Sequence, residues 1–301
     1  MLRILGTIFA ALLGLCFGSF LNVCLSRWPR RESVVRPRSH CRKCGRTLTW
    51  WENVPLVSWV ALRGRCRGCG AWISVRYPLV EVAVGVLWAA AAWNFLALAT
   101  DPEVPAISPF LHWNLYNSLG RTLGLFLFFW LLVGLAFLDI ENFWLPDWLT
   151  LPGVLVGALS RVVYRIVGSR YSDAPVPITG AVVYGGLMGT AIEIAIAAGI
   201  ILLIRWVYRL IRRREGMGLG DAKLMAMLAA WLGLPGALLS LFIGVVLGAV
   251  FAVAALLRRS RSSDGSWAAL QLPLGTFLCV GGIVSALWGE RIIAAYMGMF
   301  L

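Results

Sequence analysis

The chain has 301 residues, of which 60% are hydrophobic, with a formal net charge of +13 and a mean hydropathy of +0.81. Soluble domains lie nearer half apolar, so this balance excludes an ordinary water-soluble protein and points to lipid as the solvent. The basic residues cluster beside apolar spans, which fits membrane topology and anionic headgroups and leaves no role for a nucleic-acid partner.

Eight stretches approach the roughly 20 apolar residues that carry a helix across about 30 Å of hydrocarbon: 4–25, 79–99, 119–138, 148–167, 180–204, 222–236, 237–257 and 271–289. The predicted fold class is therefore an all-α polytopic membrane protein of about eight transmembrane helices. The first stretch follows Arg3 as a signal peptide would. It is long for an h-region, however, and lacks an A-x-A-like cleavage site, so residues 1–26 are read as a retained first helix. Residues 27–77 are basic and rich in Cys, Trp, Pro and Gly, and form a small cytoplasmic domain between the first and second helices. Residues 78–301 make up the membrane core. The 100–118 loop, with Pro102, Pro105 and Pro109, is expected to be a short periplasmic connection. The small residues Gly180, Ala181, Gly185, Gly186 and Gly189 suit close helix packing in lipid. The boundary between the sixth and seventh stretches is weak, because Gly233, Pro235 and Gly236 fall there.

Between Arg27 and Arg76 there are twelve Lys or Arg residues against two acids, Glu32 and Glu52. Arg205, Arg209, Arg212, Arg213 and Arg214 form a second basic group, and Arg258, Arg259 and Arg261 a third. Eight crossings from a periplasmic start place all three groups in the cytoplasm, as the positive-inside rule asks. Arg161, Arg165 and Arg170 then fall outside and fit this topology poorly.

Seven cysteines divide into two sets. Cys16, Cys24 and Cys279 lie in or at apolar helices and are read as packing residues. The other four form Cys41-Arg-Lys-Cys44 and Cys66-Arg-Gly-Cys69, each pair followed by a glycine, Gly45 or Gly70. Two C-x-x-C pairs at this separation match a tetrahedral four-cysteine zinc site. A full shell of thiolates leaves no open position, so the metal would be structural, stabilising a segment too small to build its own core.

Ionisable residues within membrane helices are functional candidates. Of six aspartates, Asp101, Asp173 and Asp264 lie in loops. Asp139 ends the third helix. Asp147 follows Leu145-Pro146 and reads as an N-cap for the next helix. Asp221 closes Gly218-Leu219-Gly220-Asp221, whose glycines let a substrate strand approach closely; Gly218, Gly220 and the following Lys223 belong to this candidate active-site loop. Two carboxylates at one site share a proton, so that one activates water while the other donates to the scissile carbonyl. A simpler role is open for each: an N-cap for Asp221, a pairing with an interfacial Arg for Asp139. His40 and His112 lie apart from any H-E-x-x-H or G-x-S-x-G pattern, so metallopeptidase and serine-triad chemistry lack their parts. Glu193, in mid-helix, is read as an interior polar contact.

A G-x-G-D signature before a membrane helix resembles those of intramembrane aspartyl proteases. Four blocks make the resemblance narrower: Gly18-Ser19-Phe20-Leu21-Asn22-Val23; the four-cysteine segment with Asn53-Val54-Pro55-Leu56 and Arg76-Tyr77-Pro78-Leu79-Val80-Glu81; Asp139 to Leu151; and Gly216 to Lys223. With Leu272-Pro273-Leu274-Gly275-Thr276-Phe277 they resemble the bacterial type IV prepilin peptidase family over nearly the whole chain. The resemblance implies cleavage of the short basic leader of type IV prepilins and pseudopilins after a glycine, at the cytoplasmic face of the inner membrane, by Asp139 and Asp221. It also implies methyl transfer from S-adenosylmethionine to the new N-terminus, since members with the long cysteine domain carry that activity. Residues 78–301 would then be the peptidase core and residues 27–77 the methyltransferase-associated zinc domain. The expected partners are prepilin and pseudopilin substrates and the lipid bilayer. Two positions depart from the family: Leu219 stands where an aromatic is frequent, and Thr276 where a proline is.

No glycine-rich dinucleotide motif marks a site for the methyl donor. Glu81, at the membrane end of the cysteine domain, is the candidate contact for the new amine or the donor, against a simpler pairing with Arg76. Three other classes compete: an aspartyl protease with another substrate, a non-enzymatic zinc-containing assembly protein of a pilus or secretion system, and a transporter built around Glu193.

Overall fold

The computed structural model describes residues 1–99, 109–168, 180–213, 218–259 and 272–299, with side chains at all but 98–99, 109–118, 165–168, 180–185 and 258–259. Asp101, Asp173, Asp264, Pro102, Pro105, Arg170, Arg214, Gly216 and Arg261 lie outside the described residues. So do the side chains of His112, Arg165, Gly180, Ala181, Gly185, Arg258 and Arg259.

The helices are α1 (Leu2–Arg27), the short α2 (Val57–Ala61), α3 (Arg76–Ala99), α4 (Pro109–Asn142), α5 (Asp147–Gly168), α6 (Gly180–Arg212), α7 (Leu219–Arg259) and α8 (Leu274–Met297). Among the described residues no strand forms; there are two isolated antiparallel bridges, His40 with Thr47 and Arg65 with Trp72. Six helices of the described residues are long and apolar enough to cross a membrane: Leu2–Arg30, Arg76–Ala97, Leu119–Asn142, Gly186–Arg212, Leu219–Leu257 and Leu274–Met297. The chain is a multi-pass membrane protein. The predicted stretches fall on helices, the last from Leu274 onward, but 222–236 and 237–257 belong to one helix, α7, broken at Gly233 (φ 77°, ψ 172°). The stretch at 148–167 became α5, the least apolar of the long helices. Residues 109–118, expected as loop, are the start of α4. Pro109 suits a first helical position, where its missing N–H costs nothing.

The chain divides into two compact units, residues 1–134 and 135–301. In the first, α1 and α3 meet through glycine. A Cβ at Gly14 would lie 2.8 Å from Gly85 Cα, and one at Gly18 would lie 2.7 Å from Glu81 Cα. Lipid tails are as apolar as leucine, so such close backbone contact and polar bonds, rather than apolar burial, hold membrane helices together. Indole N–H groups supply the polar bonds. Trp88 donates to Phe126 O at 2.9 Å and stacks on that ring at 4.4 Å; Trp130 donates to Phe17 O at 3.1 Å.

The cysteine segment is tied to the same unit by arginines at the end of α1. Arg27 is buried and donates to Ser33 O and Pro37 O, both at 2.7 Å. Arg42 donates to Ser26 O at 2.9 Å, a cation at a helix C-terminus, where the dipole favours it.

In the second unit α7 and α8 meet at Gly244 and Gly281. A Cβ on Gly244 would come 3.2 Å from Leu278 N, and Gly281 lies against the Ser240 backbone. Ser240 and Ser285 both donate to Gly236 O, at 2.7 and 2.9 Å. The first limb of α7 is fastened to α5 by Trp231, which donates to Gly153 O at 2.9 Å and lies where a Cβ on Gly157 would be.

Candidate functional site

Each cysteine pair is the start of a tight turn. Gly45 N donates to Cys41 O and Gly70 N to Cys66 O, both at 2.8 Å, while Cys41 N and Cys66 N donate to Arg46 O and Ala71 O. Gly45 and Gly70 have φ of 72° and 68° and nothing within 4 Å of a built Cβ. They are therefore glycine for the left-handed backbone and not for space. The four sulfurs of Cys41, Cys44, Cys66 and Cys69 all lie within 4.8 Å of one another. The Cys66 thiol is drawn down to about 6 by the N–H groups of Cys69 and Gly68 and by the Cys41 thiol. Ala71 N–H also draws on Cys69, but burial and the neighbouring thiols push Cys69 up to about 11. A cation at the centre relieves this conflict, because thiolates cannot accumulate unpaired. The cluster has the donors and spacing to hold a metal ion.

Glu52 braces the first turn. Thr49 gives it an N–H at 2.9 Å and a hydroxyl at 2.8 Å, and Arg46 pairs with it. These bonds, the Thr49 N–H first, hold its carboxyl down to about 2.

In the second unit, Asp139 and Asp221 are both buried and near enough for their charges to interact. Both charges also reach the buried Cys279 of α8. Asp139, near the end of α4, points at the start of α8, where its Oδ2 accepts Thr276 N–H at 2.7 Å and lies 3.1 Å from Thr276 Oγ1. Helix N-termini favour anions in this way. No Arg pairing is needed, because Thr276 takes that place. Asp221 is the third residue of α7 and accepts the N–H of Gly218, so it folds back on its own motif rather than standing at the N-cap itself.

Two glycines make room for the pair. A Cβ at Gly275 would lie 3.0 Å from Asp139 Cγ and Oδ2 and from Leu145 Cδ1, and one at Gly220 would lie 3.0 Å from Leu145 Cβ. Leu145 therefore packs against Gly275, which faces Asp139, and against Gly220, which precedes Asp221. Asp147, expected as an N-cap, is instead the first residue of α5 and is paired with Lys223 at 2.5 Å. Lys223, expected in the active-site loop, joins the starts of α5 and α7.

Glu193 and Arg161 pair with each other at 2.5 Å, which occupies the carboxylate that a transporter reading would use and one of the three arginines that fitted the topology poorly. In the first unit, buried Glu81 accepts Leu56 N–H at 2.8 Å and bonds Ser19. Arg76 lies over the Tyr77 ring at 5.1 Å. Nearby Asn22 donates to Tyr77 O at 2.8 Å. Thr276, Gly275, Leu145, Ser19 and Leu56 were not singled out by residue chemistry, although the family-like blocks contain all of them.

The chain matches two family models: the bacterial peptidase A24 N-terminal domain over residues 12–95 and the type IV leader peptidase family over residues 125–253. A prepilin leader peptidase/N-methyltransferase of Aeromonas salmonicida is 33% identical, covering 96% of this chain and 93% of its own length. One from Pseudomonas putida is 34% identical over 96% and 92%, and one from Myxococcus xanthus 38% identical over 85% and 64%. No solved structure matches the chain. With similarity of this extent at both ends of the molecule, the chain belongs to the type IV leader peptidase family.

Proposed function

We propose that this protein removes the basic leader from type IV prepilins and pseudopilins after a glycine, using Asp139 and Asp221, and then methylates the exposed N-terminus. One observation carries the cleavage reading: two buried carboxylates, far apart in sequence, lie near one another, and Leu145 packs against both Gly275, which faces Asp139, and Gly220, which precedes Asp221. Such a pair holds one proton between its members. The ionised carboxylate takes a proton from water as the water oxygen attacks the scissile carbonyl carbon. The protonated one gives its proton to the carbonyl oxygen. Collapse of the tetrahedral intermediate breaks the C–N bond, with a proton returned to the leaving amine. Thr276 holds Asp139 Oδ2, so Oδ1 is the oxygen that meets water.

The names of the relatives support methyl transfer as the second activity; S-adenosylmethionine is the donor substrate in this proposal. Glu81 is the proposed contact for the new amine or the donor, placed where the cysteine segment meets the α1–α3 seam. Cys41, Cys44, Cys66 and Cys69 would hold a structural zinc: bonds of about 2.3 Å imply tetrahedral edges of roughly 3.8 Å, and Cys41 Sγ and Cys69 Sγ are 3.8 Å apart. Such a metal would cross-link residues 27–77 and would serve a structural role. The proposed location of the cysteine segment and the aspartates is the cytoplasmic face of the bacterial inner membrane, a reading that the basic groups support.

Membranes containing the protein, a model prepilin and S-adenosylmethionine test both activities by mass spectrometry of the pilin N-terminus. The wild type should remove the leader and add one methyl group, while Asp139→Asn and Asp221→Asn leave the leader in place. A variant that cleaves at the wild-type rate rules out its carboxylate.

A further inference from the structure

We infer that Arg161 and Glu193 are positioning residues: their ion pair holds α7 broken at Gly233 and thereby sets the limb that carries Asp221. The inference rests on the aspartyl reading above. A break in a helix leaves the last carbonyls of one limb and the first N–H groups of the next without intrahelical partners. In hydrocarbon such groups must be satisfied within the protein. Here Arg161 Nη1 donates to Ala229 O at 3.0 Å, in the last turn of the first limb. Glu193 Oε2 accepts Leu234 N–H at 3.2 Å, at the start of the second. The same Nη1 and Oε2 pair with each other at 2.5 Å. The cation thus sits at a helix C-terminus and the anion at a helix N-terminus, each opposite the partial charge it favours. One ion pair offsets its own burial and caps both faces of the break.

The local sequence agrees. Gly233 supplies the left-handed φ of 77°, and Pro235 has no N–H to leave unpaired in the first turn of the second limb. A Cβ on Gly233 would lie 3.0 Å from Arg161 Nη2 and 3.3 Å from Glu193 Oε2, so the pair fills the notch of the break.

The consequence for chemistry is leverage. Asp221 lies twelve residues before Gly233, about 18 Å along the helix at 1.5 Å per residue. A swing of about 10° at the break moves that end by about 3 Å, and a 1 Å misplacement of a reacting group can cost about 100-fold. Arg161 comes from α5 and Glu193 from α6, so the orientation of the Asp221 limb is set by two helices that contribute neither aspartate.

The test uses the full chain in membranes and reads two quantities: kcat and KM for leader cleavage, and amide hydrogen exchange of peptides covering 229–236. Arg161→Met should lower kcat at least about tenfold with KM within about threefold, and speed exchange at Leu234. Arg161→Lys should recover most of kcat. The swapped pair, Arg161→Glu with Glu193→Arg, should not, because it restores an ion pair with each sign at the wrong helix end. Gly233→Ala, with both charges intact, should lose kcat as Arg161→Met does; it serves as the second measure where Arg161→Met fails to accumulate. Wild-type kcat in Arg161→Met or Gly233→Ala, or recovery in the swapped pair, overturns the inference. Should the wild type cleave no prepilin, the aspartyl reading fails by itself. Exchange then still decides: unchanged protection of Leu234 in Glu193→Met would show that the pair does not hold the break.

Discussion

Thr276 directs both its backbone N–H and its hydroxyl toward one oxygen of Asp139, at 2.7 and 3.1 Å from Oδ2. The hydroxyl also lies 3.0 Å from Ala136 O, one turn earlier in α4. The N-terminus of α8 therefore fixes the orientation of this carboxylate. Thr276→Val keeps the N–H and removes the hydroxyl. A single hydrogen bond of about 1 kcal/mol predicts a fall in cleavage rate of roughly fivefold, while Thr276→Ser stays near wild type. Steady-state kinetics on a prepilin substrate checks both.

Gly275 and Gly220 make contrasting demands. Alanine at 275 meets Asp139 itself and should reduce cleavage by about 100-fold or more. Alanine at 220 meets Leu145, whose Cβ at 3.0 Å cannot rotate away, so a loss of about tenfold is expected, recovered in Gly220→Ala with Leu145→Gly as coupling in a double-mutant cycle. Additive losses in that cycle would show that Leu145 is not the obstacle.

Asp147 is half exposed and pairs with Lys223, and surface pairs contribute about 0–1 kcal/mol. Asp147→Asn should keep cleavage within about threefold of wild type, whereas Asp139→Asn and Asp221→Asn abolish it. Comparing the three variants at equal protein amounts in one cleavage assay checks this.

Elemental analysis of the purified protein should find one zinc per chain, lost in Cys66→Ser. Because the cysteines and the aspartates lie in different units, chelation should depress methylation more than cleavage. Glu81→Gln should lower methylation while leader removal continues. The two mass shifts at the pilin N-terminus report these outcomes separately.

Glu52 predicts a pH dependence. Its carboxyl is held down to about 2 from an ordinary 4.5. A group depressed on folding stabilises above its unfolded pKa, and that contribution is lost as pH falls through the folded one. Glu52→Gln should therefore be the less stable protein at neutral pH, and the difference should shrink between pH 4.5 and 2. Tryptophan fluorescence of thermal unfolding follows it, since Trp50 and Trp51 adjoin the carboxylate in sequence.

The sequence by itself determined whatever is written in local pattern. Apolar length specifies membrane helices. C-x-x-C-G, repeated, specifies two left-handed turns that present four sulfurs. Gly218 to Asp221 specifies a backbone corner with a carboxylate just inside a helix. Each depends on neighbours within a few residues, so each is legible in one dimension. Tertiary structure alone decided the partners. Nothing near Asp139 in sequence names Thr276, and nothing in Leu145 indicates that it lies against glycines from two other helices. Arg161 fitted the expected topology poorly, and Glu193 read as an interior polar contact with no named partner, until α5, α6 and α7 were assembled around Gly233. These contacts join side chains to one another, to backbone groups or to the absence of a Cβ, across 32 to 137 residues of chain. Such contacts are set by how helices cross, and backbone atoms at a crossing carry no residue-specific signature.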